Sequence, residues 1–477
     1  MNAPTTPEFI AADLREAGLP PPSIDEWFAA EPRETNEFGE DRRLYAVYWA
    51  LADALIGRLP RKAQRNAAQA KAAAAIRGRA RSSRARFLTA YIEKIYATLT
   101  HDFSRFLRVE DLVLEAAETF PGLAPSRAQL DAEAETLQRD KDGLEIDQGL
   151  LLSAILADQR AGRHLCHAML LPRPESREAL ARFAADGALD LGSARLLRKG
   201  RGVLLAAGNP RYLNAEDQTT IAAMETAVDV AILDPDSDIA VLRGATVEHP
   251  KYAGQHIFGA GINLTHLYRG KIPYVWYIQR DLGFVHKFLR GVATPDALPD
   301  DVSGFGIEKP WIAVVETFAI GGHCQILLAM DYVLAAADAY LTLPARKEGI
   351  IPGASNLRLP RFVGDRVARQ LVQYERRLEC DSPEGRLICD EIVPSEADGI
   401  VPPEAMGAAI DRVVAGLTSS GAVGAIGNRR AFRIGEEPLD LFRQYMAVYA
   451  REQAYCHFSP ALIGNLERYW DAQNRKG

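Results

Sequence analysis

Residues 309–344 read KPWIAVVETFAIGGHCQILLAMDYVLAAADAYLTLP, and this stretch decides the fold. A β-type run, Trp311 to Val315, leads to the pair Gly321-Gly322, which opens a helical pattern from Gly322 to Met330. A second β-type run, Tyr332 to Ala336, follows. The alternation continues upstream: GVLLAAGNP (202–210) ends in turn residues and precedes helical spacing from Glu216 to Asp229 and the apolar run Ile239 to Leu242. Helical stretches at Val275 to Arg290 and Arg361 to Val372 complete a pattern that argues for an α/β layer with parallel pairings.

Outside this core the character changes. Before Lys199 the chain reads as helix after helix: Ala63 to Ala80, Leu88 to Leu99, Val109 to Ala117 and Leu150 to Leu170, punctuated by Pro121, Pro125, Pro172 and Pro174. The end returns to helix, most clearly Leu439 to Tyr455. The expected division is a helical domain over 1–198, an α/β core over 199–402 and a helical segment over 403–477, with no internal repeat. Arg58 to Arg86 holds ten Lys or Arg and no acid. It reads as a solvated or subunit-facing helix surface, with a basic arm as the alternative.

A chain of 477 residues with 48% hydrophobic and 25% charged residues is globular and divided into domains. A net charge of −7 argues against a general nucleic-acid binder. Five scattered cysteines (Cys166, Cys324, Cys380, Cys389, Cys456) fit reduced thiols in the cytoplasm. The start, MNAPTTPEFIAADLRE, lacks a signal-peptide pattern, and no apolar stretch is long enough for a membrane span. None of the nine histidines sits in a metal-ligand spacing, and His249, His256 and His266 match no single-helix pair, so no metal is expected. Gly259-Ala-Gly261-Ile-Asn-Leu264 ends in leucine where a dinucleotide fingerprint needs glycine, and no phosphate loop occurs, so nicotinamide, flavin and nucleoside triphosphate are not expected. Gly353-Ala-Ser355-Asn-Leu357 lacks the second glycine of a serine-hydrolase elbow.

Two glycine turns remain, FGAGINL (258–264) and AIGGHCQ (319–325), each at the end of an apolar run. The second opens a helical pattern, where first-turn N–H groups are free and negative charge is favoured. Either turn alone could need its glycines for backbone geometry only. Together with GNPRYLNA (208–215) and GIIPGA (349–354), they make the segment from Gly202 to Val401 resemble the crotonase (enoyl-CoA hydratase/isomerase) superfamily. The resemblance implies a spiral ββα core and an acyl-CoA substrate, with the N–H groups of Ile262 and Gly322 forming an oxyanion hole. It also implies that Lys251, Tyr252 and Ala260 line the coenzyme A nucleotide and pantetheine, with Gly261 and Asn263 in the same substrate-binding turn.

The departures carry information too. Where the family's hydratases use two glutamates, this chain has Gln325 and Ala345, and neither can handle a proton as a carboxylate does. A long helical N-terminal extension together with this Gln resembles the branch that oxygenates (3,5-dihydroxyphenyl)acetyl-CoA with O2 and no cofactor or metal, on the way to dihydroxyphenylglycine in glycopeptide antibiotics. That implies Glu216, Arg280 and Gln325 around the aromatic ring and reacting carbon. Arg280 could instead be a surface or capping charge, and Glu216 a first-turn helix acid. His323 and Cys324 read as packing or backbone-positioning residues. Ile326, Leu327, Ile350 and Ile351 could line a dry pocket for O2 or simply fill the core. The resemblance further implies a homo-trimer or hexamer, with Leu439 to Tyr455 in the contacts. Alternatives are another crotonase-type reaction, thioester hydrolysis or isomerisation, and a non-catalytic assembly protein using Arg58 to Arg86.

Overall fold

The computed structural model describes residues 7–304, 306–396 and 401–474. Residues 1–6 of the N-terminal reading and 397–400 of the family-like segment lie outside these. The centre is a seven-stranded sheet in the order Ala188–Asp190, Ala194–Lys199, Gly202–Ala207, Ile239–Gly244, Trp311–Val315, Tyr332–Ala336, Glu391–Val393. The first two pairings are antiparallel and the remaining four parallel. Trp311–Val315 is buried at every position, as a parallel strand covered on both faces must be.

The sheet starts at Ala188, so the boundary expected at 198/199 falls in the last step of the strand Ala194–Lys199. The physical reason is that Ala188–Asp190 and Ala194–Lys199 form an edge hairpin in which buried and exposed residues alternate. Such a half-exposed pair lacks the continuous apolar run that marks the central strands.

A smaller sheet joins Tyr340–Thr342 in parallel to Phe318–Ile320 and antiparallel to Leu378–Glu379. Two of the central strands are each followed by a short strand of this sheet and a short helix. Trp311–Val315 leads to Phe318–Ile320 and Gly322–Leu327, and Tyr332–Ala336 leads to Tyr340–Thr342 and Ala345–Glu348. This ββα step, repeated, is the spiral core. The helix opened by Gly322 stops at Leu327, short of the expected Met330.

Several helices differ from their sequence reading for local reasons. Ala63 to Ala80 and Leu88 to Leu99 belong to one helix, Ala67–Leu99, started by a reciprocal cap between Asn66 and Gln69. Leu150 to Leu170 breaks at Asp158, whose carboxylate accepts from the Ala161 N–H and begins a new helix. Val275 to Arg290 divides at Gly283. The helix after Glu216 starts only at Ile221.

The basic segment is neither an arm nor a bare solvated face. Arg65 and Arg77 pair with Asp142, Arg81 and Arg84 with Asp147, Arg79 with Glu31, and Lys71 with Asp13. The matching acids come from other parts of the helical region, so these six basic side chains are paired in three dimensions. Helix Leu439–His457 lies along Ile146–Ala157 so closely that a Cβ on Gly149 would fall 2.4 Å from that of Ala454. One face of the helix expected at subunit contacts is therefore used inside the chain, leaving Leu441, Val448 and Tyr455 exposed. No described helix is long and apolar enough to cross a membrane.

Candidate active site

The small sheet sets the site. Gly259 bridges in parallel to Ala319, which is in register with Leu341. Ile320 N–H donates to Gly259 O at 3.0 Å and Gly321 N–H to Thr342 O at 2.9 Å. Parallel strands in register emerge together, so the turns holding Ile262, Gly322 and Pro344, each three residues beyond this row, open at one end of the sheet. Gly261 has φ +79°, and a Cβ there would stand 3.0 Å from Ile320 O and 3.3 Å from Gly322 N. The two turns touch through backbone, which only glycine allows at this conformation.

Three hydrogen bonds hold the first turn. Glu216 N–H donates to Gly261 O at 2.7 Å, Asn263 N–H to Glu216 O at 2.8 Å, and Gly261 N–H to His323 Nδ1 at 3.0 Å. Between them, the N–H of Ile262 has no acceptor among the described residues, and neither has that of Gly322, the first residue of its helix. Burial pushes the His323 imidazole down to about 4, so it is neutral. Its Nδ1 accepts, which puts the ring proton on Nε2.

These turns border a cavity of about 420 Å³ together with Glu216, Arg280 and Gln325. Arg280 is buried and every guanidinium hydrogen has a partner. Its Nε bonds both Glu216 oxygens at 3.0 Å, and its NH1 reaches Asp281 Oδ1 at 2.8 Å and Gln325 Oε1 at 3.0 Å. Its NH2 reaches Gly322 O at 2.8 Å and Glu216 Oε2 at 2.9 Å. Arg280 is thus no surface charge, and Glu216 is no helix-start acid. With its oxygen held by Arg280, Gln325 keeps its NH2 group as the uncommitted end. Burial raises the Asp281 carboxyl, although Arg280 pulls it back.

Not every sequence-named residue gathers here. Lys251, Tyr252 and Ala260 do not line this cavity. Lys251 is exposed with its Nζ 4.9 Å from the Tyr252 ring, and Tyr252 meets Phe318 edge-on at 5.7 Å. Tyr252 and Ala260 pack against a separate small apolar cluster of Val247, Ile257 and Phe318. Asn263 is spent within the chain: its Oδ1 accepts from His266 N–H at 3.2 Å and its Nδ2 donates to Asp217 at 2.9 Å. Ile350, Ile351 and Ala345 line the cavity. Ile326 lines a second cavity of about 500 Å³ with Phe258, Phe284 and His323, and Leu327 lines neither.

Sequence reasoning missed Glu348, Tyr277 and Tyr449, all of which border the first cavity. Glu348 is buried, with an Oε1 3.7 Å from where a side chain on Gly321 would begin. Burial first, and the charge of Glu375 second, push its carboxyl up to about 7. Its setting in ARKEG looks like a surface turn, and its neighbours Arg346 and Lys347 do turn outward, pairing with Glu375 at 3.3 and 2.5 Å. Tyr449 comes from Leu439–His457, a helix that sequence spacing gave no reason to bring to the core.

A family model described as enoyl-CoA hydratase/isomerase matches residues 303–398. A (3,5-dihydroxyphenyl)acetyl-CoA 1,2-dioxygenase of Amycolatopsis orientalis is 43% identical over 429 residues, covering 90% of this chain and 95% of that protein. A carnitinyl-CoA dehydratase of Salmonella arizonae is 29% identical over 190 residues, 40% of this chain and 63% of that one. Among solved structures, an enoyl-CoA hydratase from Mycobacterium avium subsp. paratuberculosis superposes with a TM-score of 0.46 at 20% identity, over 58% of this chain and 98% of that one. At that score the superposition adds no weight to the sequence relation. A match of 429 residues must take in the helical N-terminal region as well as the α/β core. The chain therefore belongs to the crotonase (enoyl-CoA hydratase/isomerase) superfamily, in the branch that contains the Amycolatopsis dioxygenase.

Proposed function

We propose that this protein is a dioxygenase that converts (3,5-dihydroxyphenyl)acetyl-CoA and O2 to 3,5-dihydroxyphenylglyoxylate and coenzyme A, with neither metal nor organic cofactor. The observation that carries this reading is the 43% identity, sustained over 90% of the chain, to the enzyme named for that reaction. The site supports it. Two uncommitted amides, at Ile262 and Gly322, border a cavity in which Gln325 and Ala345 stand at the positions expected to hold hydratase carboxylates.

In this reading the thioester carbonyl accepts from both amides, which stabilise the oxygen as it gains charge; one such donor is worth roughly a hundredfold to a thousandfold in rate. Loss of an α proton gives an enolate that aryl ring and thioester stabilise jointly. The enolate passes an electron to O2, and recombination forms a peroxide at the α carbon. The peroxide closes on the carbonyl, the thiolate leaves, the O–O bond breaks and the second α hydrogen is lost. Both oxygen atoms end in the keto acid, and the two α hydrogens leave as its acid proton and the thiol hydrogen. Glu216, Arg280 and Gln325 face the ring hydroxyls, a polar set that discriminates against a ring lacking them. Lys251, Tyr252 and Ala260, lying outside the cavity, take the nucleotide and pantetheine, while Gly261 and Asn263 hold the turn. A cytoplasmic homo-trimer or hexamer serving glycopeptide-antibiotic synthesis completes the reading.

The test is isotopic. Chelator-treated protein given substrate and ¹⁸O2 is expected to release keto acid carrying two labelled oxygens, with no turnover under argon. Unlabelled dihydroxyphenylacetate as product would identify a thioester hydrolase instead, and a strict metal requirement would overturn the cofactor-free route.

A further inference from the structure

The reaction proposed above needs a group to take the α proton, and the conserved chemistry of hydratases cannot supply it at Gln325 or Ala345. We infer that Glu348 is the catalytic base, its carboxylate facing the reacting carbon from the short helix that closes the cavity. This assignment rests on the dioxygenase reading.

Three carboxylates border the cavity: Glu216, Asp281 and Glu348. Arg280 occupies both oxygens of Glu216 and one of Asp281. The carboxylate of Glu348 alone has no hydrogen bond or ion pair among the described residues, although only 8% of the residue is exposed. A buried carboxyl left unpartnered is costly, and such a cost is retained where a ligand supplies the missing interaction. Its Oε1 lies beside Gly321, whose successor Gly322 offers one of the two amides for the thioester oxygen. The proton acceptor and the oxyanion donors thus border the same small space.

The surroundings keep this base weakly acidic. Tyr277 from Val275–Leu282 and Tyr449 from Leu439–His457 border the cavity as neutral phenols, both raised by burial. Glu375, past the end of Ser355–Tyr374, adds negative charge, partly balanced by Arg346 and Lys347 on the short helix itself. The last neighbouring helix, Pro460–Trp470, brings Leu462 and Asn465 against Gly349, while its Glu467 accepts from the Tyr268 hydroxyl and its Arg468 lies over the Tyr469 ring. Across the cavity, Arg280 is matched by Glu216 and Asp281. A carboxyl raised to about 7 suits proton abstraction at neutral pH. In the step, a Glu348 oxygen bonds the α hydrogen, the C–H pair becomes the enolate π bond, and charge moves to the thioester oxygen. Glu348 becomes neutral as the substrate becomes anionic, so the base and the enolate are never negatively charged together. Its proton later passes to the departing thiolate.

Oxygen uptake in single turnover, with binding of a non-reactive thioether analogue measured alongside, tests this. E348Q is expected to lose at least about a hundredfold in kcat, within the usual range for a general base, with analogue Kd little changed. Wild-type kcat/KM is expected to rise through pH 7, a limb that E348Q lacks and E348D shifts. E348Q within tenfold of wild type and with the pH limb intact would overturn the assignment. Wild-type protein that binds the thioester without consuming O2 would instead overturn the dioxygenase reading, a separate result.

Discussion

Two buried charged groups in this molecule sit in opposite circumstances. Lys287 is fully buried and ion-paired to Glu225 at 2.8 Å and Asp229 at 2.6 Å. Arg108 from the helical region also meets Glu225, at 2.7 Å, and Asp229 accepts from Arg173 N–H and Ser176. Charges from the N-terminal helices and the α/β core are spent on each other there. Glu348 is also buried, yet its carboxylate has no hydrogen bond or ion pair among the described residues. The difference teaches how to tell a structural charge from one kept for a ligand: the first is ion-paired across an interface, and the second faces a cavity alone.

Substitutions that break this contrast should separate stability from chemistry. Lys287→Met leaves Asp229 buried without its cation and Glu225 to the arginines alone, and is expected to cost about 3 to 5 kcal/mol in a urea unfolding titration. Gly322→Ala brings a Cβ within 2.7 Å of Glu216 Oε2 and 3.1 Å of Arg280 NH2, so the amide and its network must shift. Oxygen uptake should fall roughly a hundredfold to a thousandfold, the loss seen when an oxyanion donor is removed. The opposite sign is expected at Glu348. A carboxyl raised from its ordinary 4.5 to about 7 on folding ionises more readily in the unfolded chain, so wild type loses stability as pH rises between those values. Glu348→Gln removes that loss. It should gain up to about 3 kcal/mol at pH 8 and nothing below pH 4.5, measured by thermal unfolding across pH. An inactive but stabilised variant would mark Glu348 as a site where function opposes stability. A stability gain absent at pH 8 would mean that an unseen partner already meets this carboxyl.

Much of the core was legible because its parallel strands are short unbroken apolar runs, as Trp311–Val315 and Tyr332–Ala336 are. The edge hairpin Ala188–Lys199 was not, since alternation over a few residues is a weak signal. The two glycine turns were legible as a pair, but Asn263 within the first looked like a binding residue until its amide was found between His266 and Asp217. Arg280 and Glu216 each had a plausible surface role in sequence, and only their mutual bonds made them one network. The ββα step left no repeat in the sequence, because register between strands is kept by hydrogen bonds that many side chains permit.

The sequence by itself determined the order of strands and turns, the positions that glycine must fill and the absence of glutamate at 325 and 345. These are local properties, set by residue type and backbone conformation. Only the tertiary structure decided that Ile262 and Gly322 open at one end of the same small sheet, that basic residues between Arg58 and Arg86 pair with distant acids, and that Glu348 faces inward while Arg346 and Lys347 face out. Burial and partnership are relations between segments far apart in the chain, so no local stretch can encode them alone.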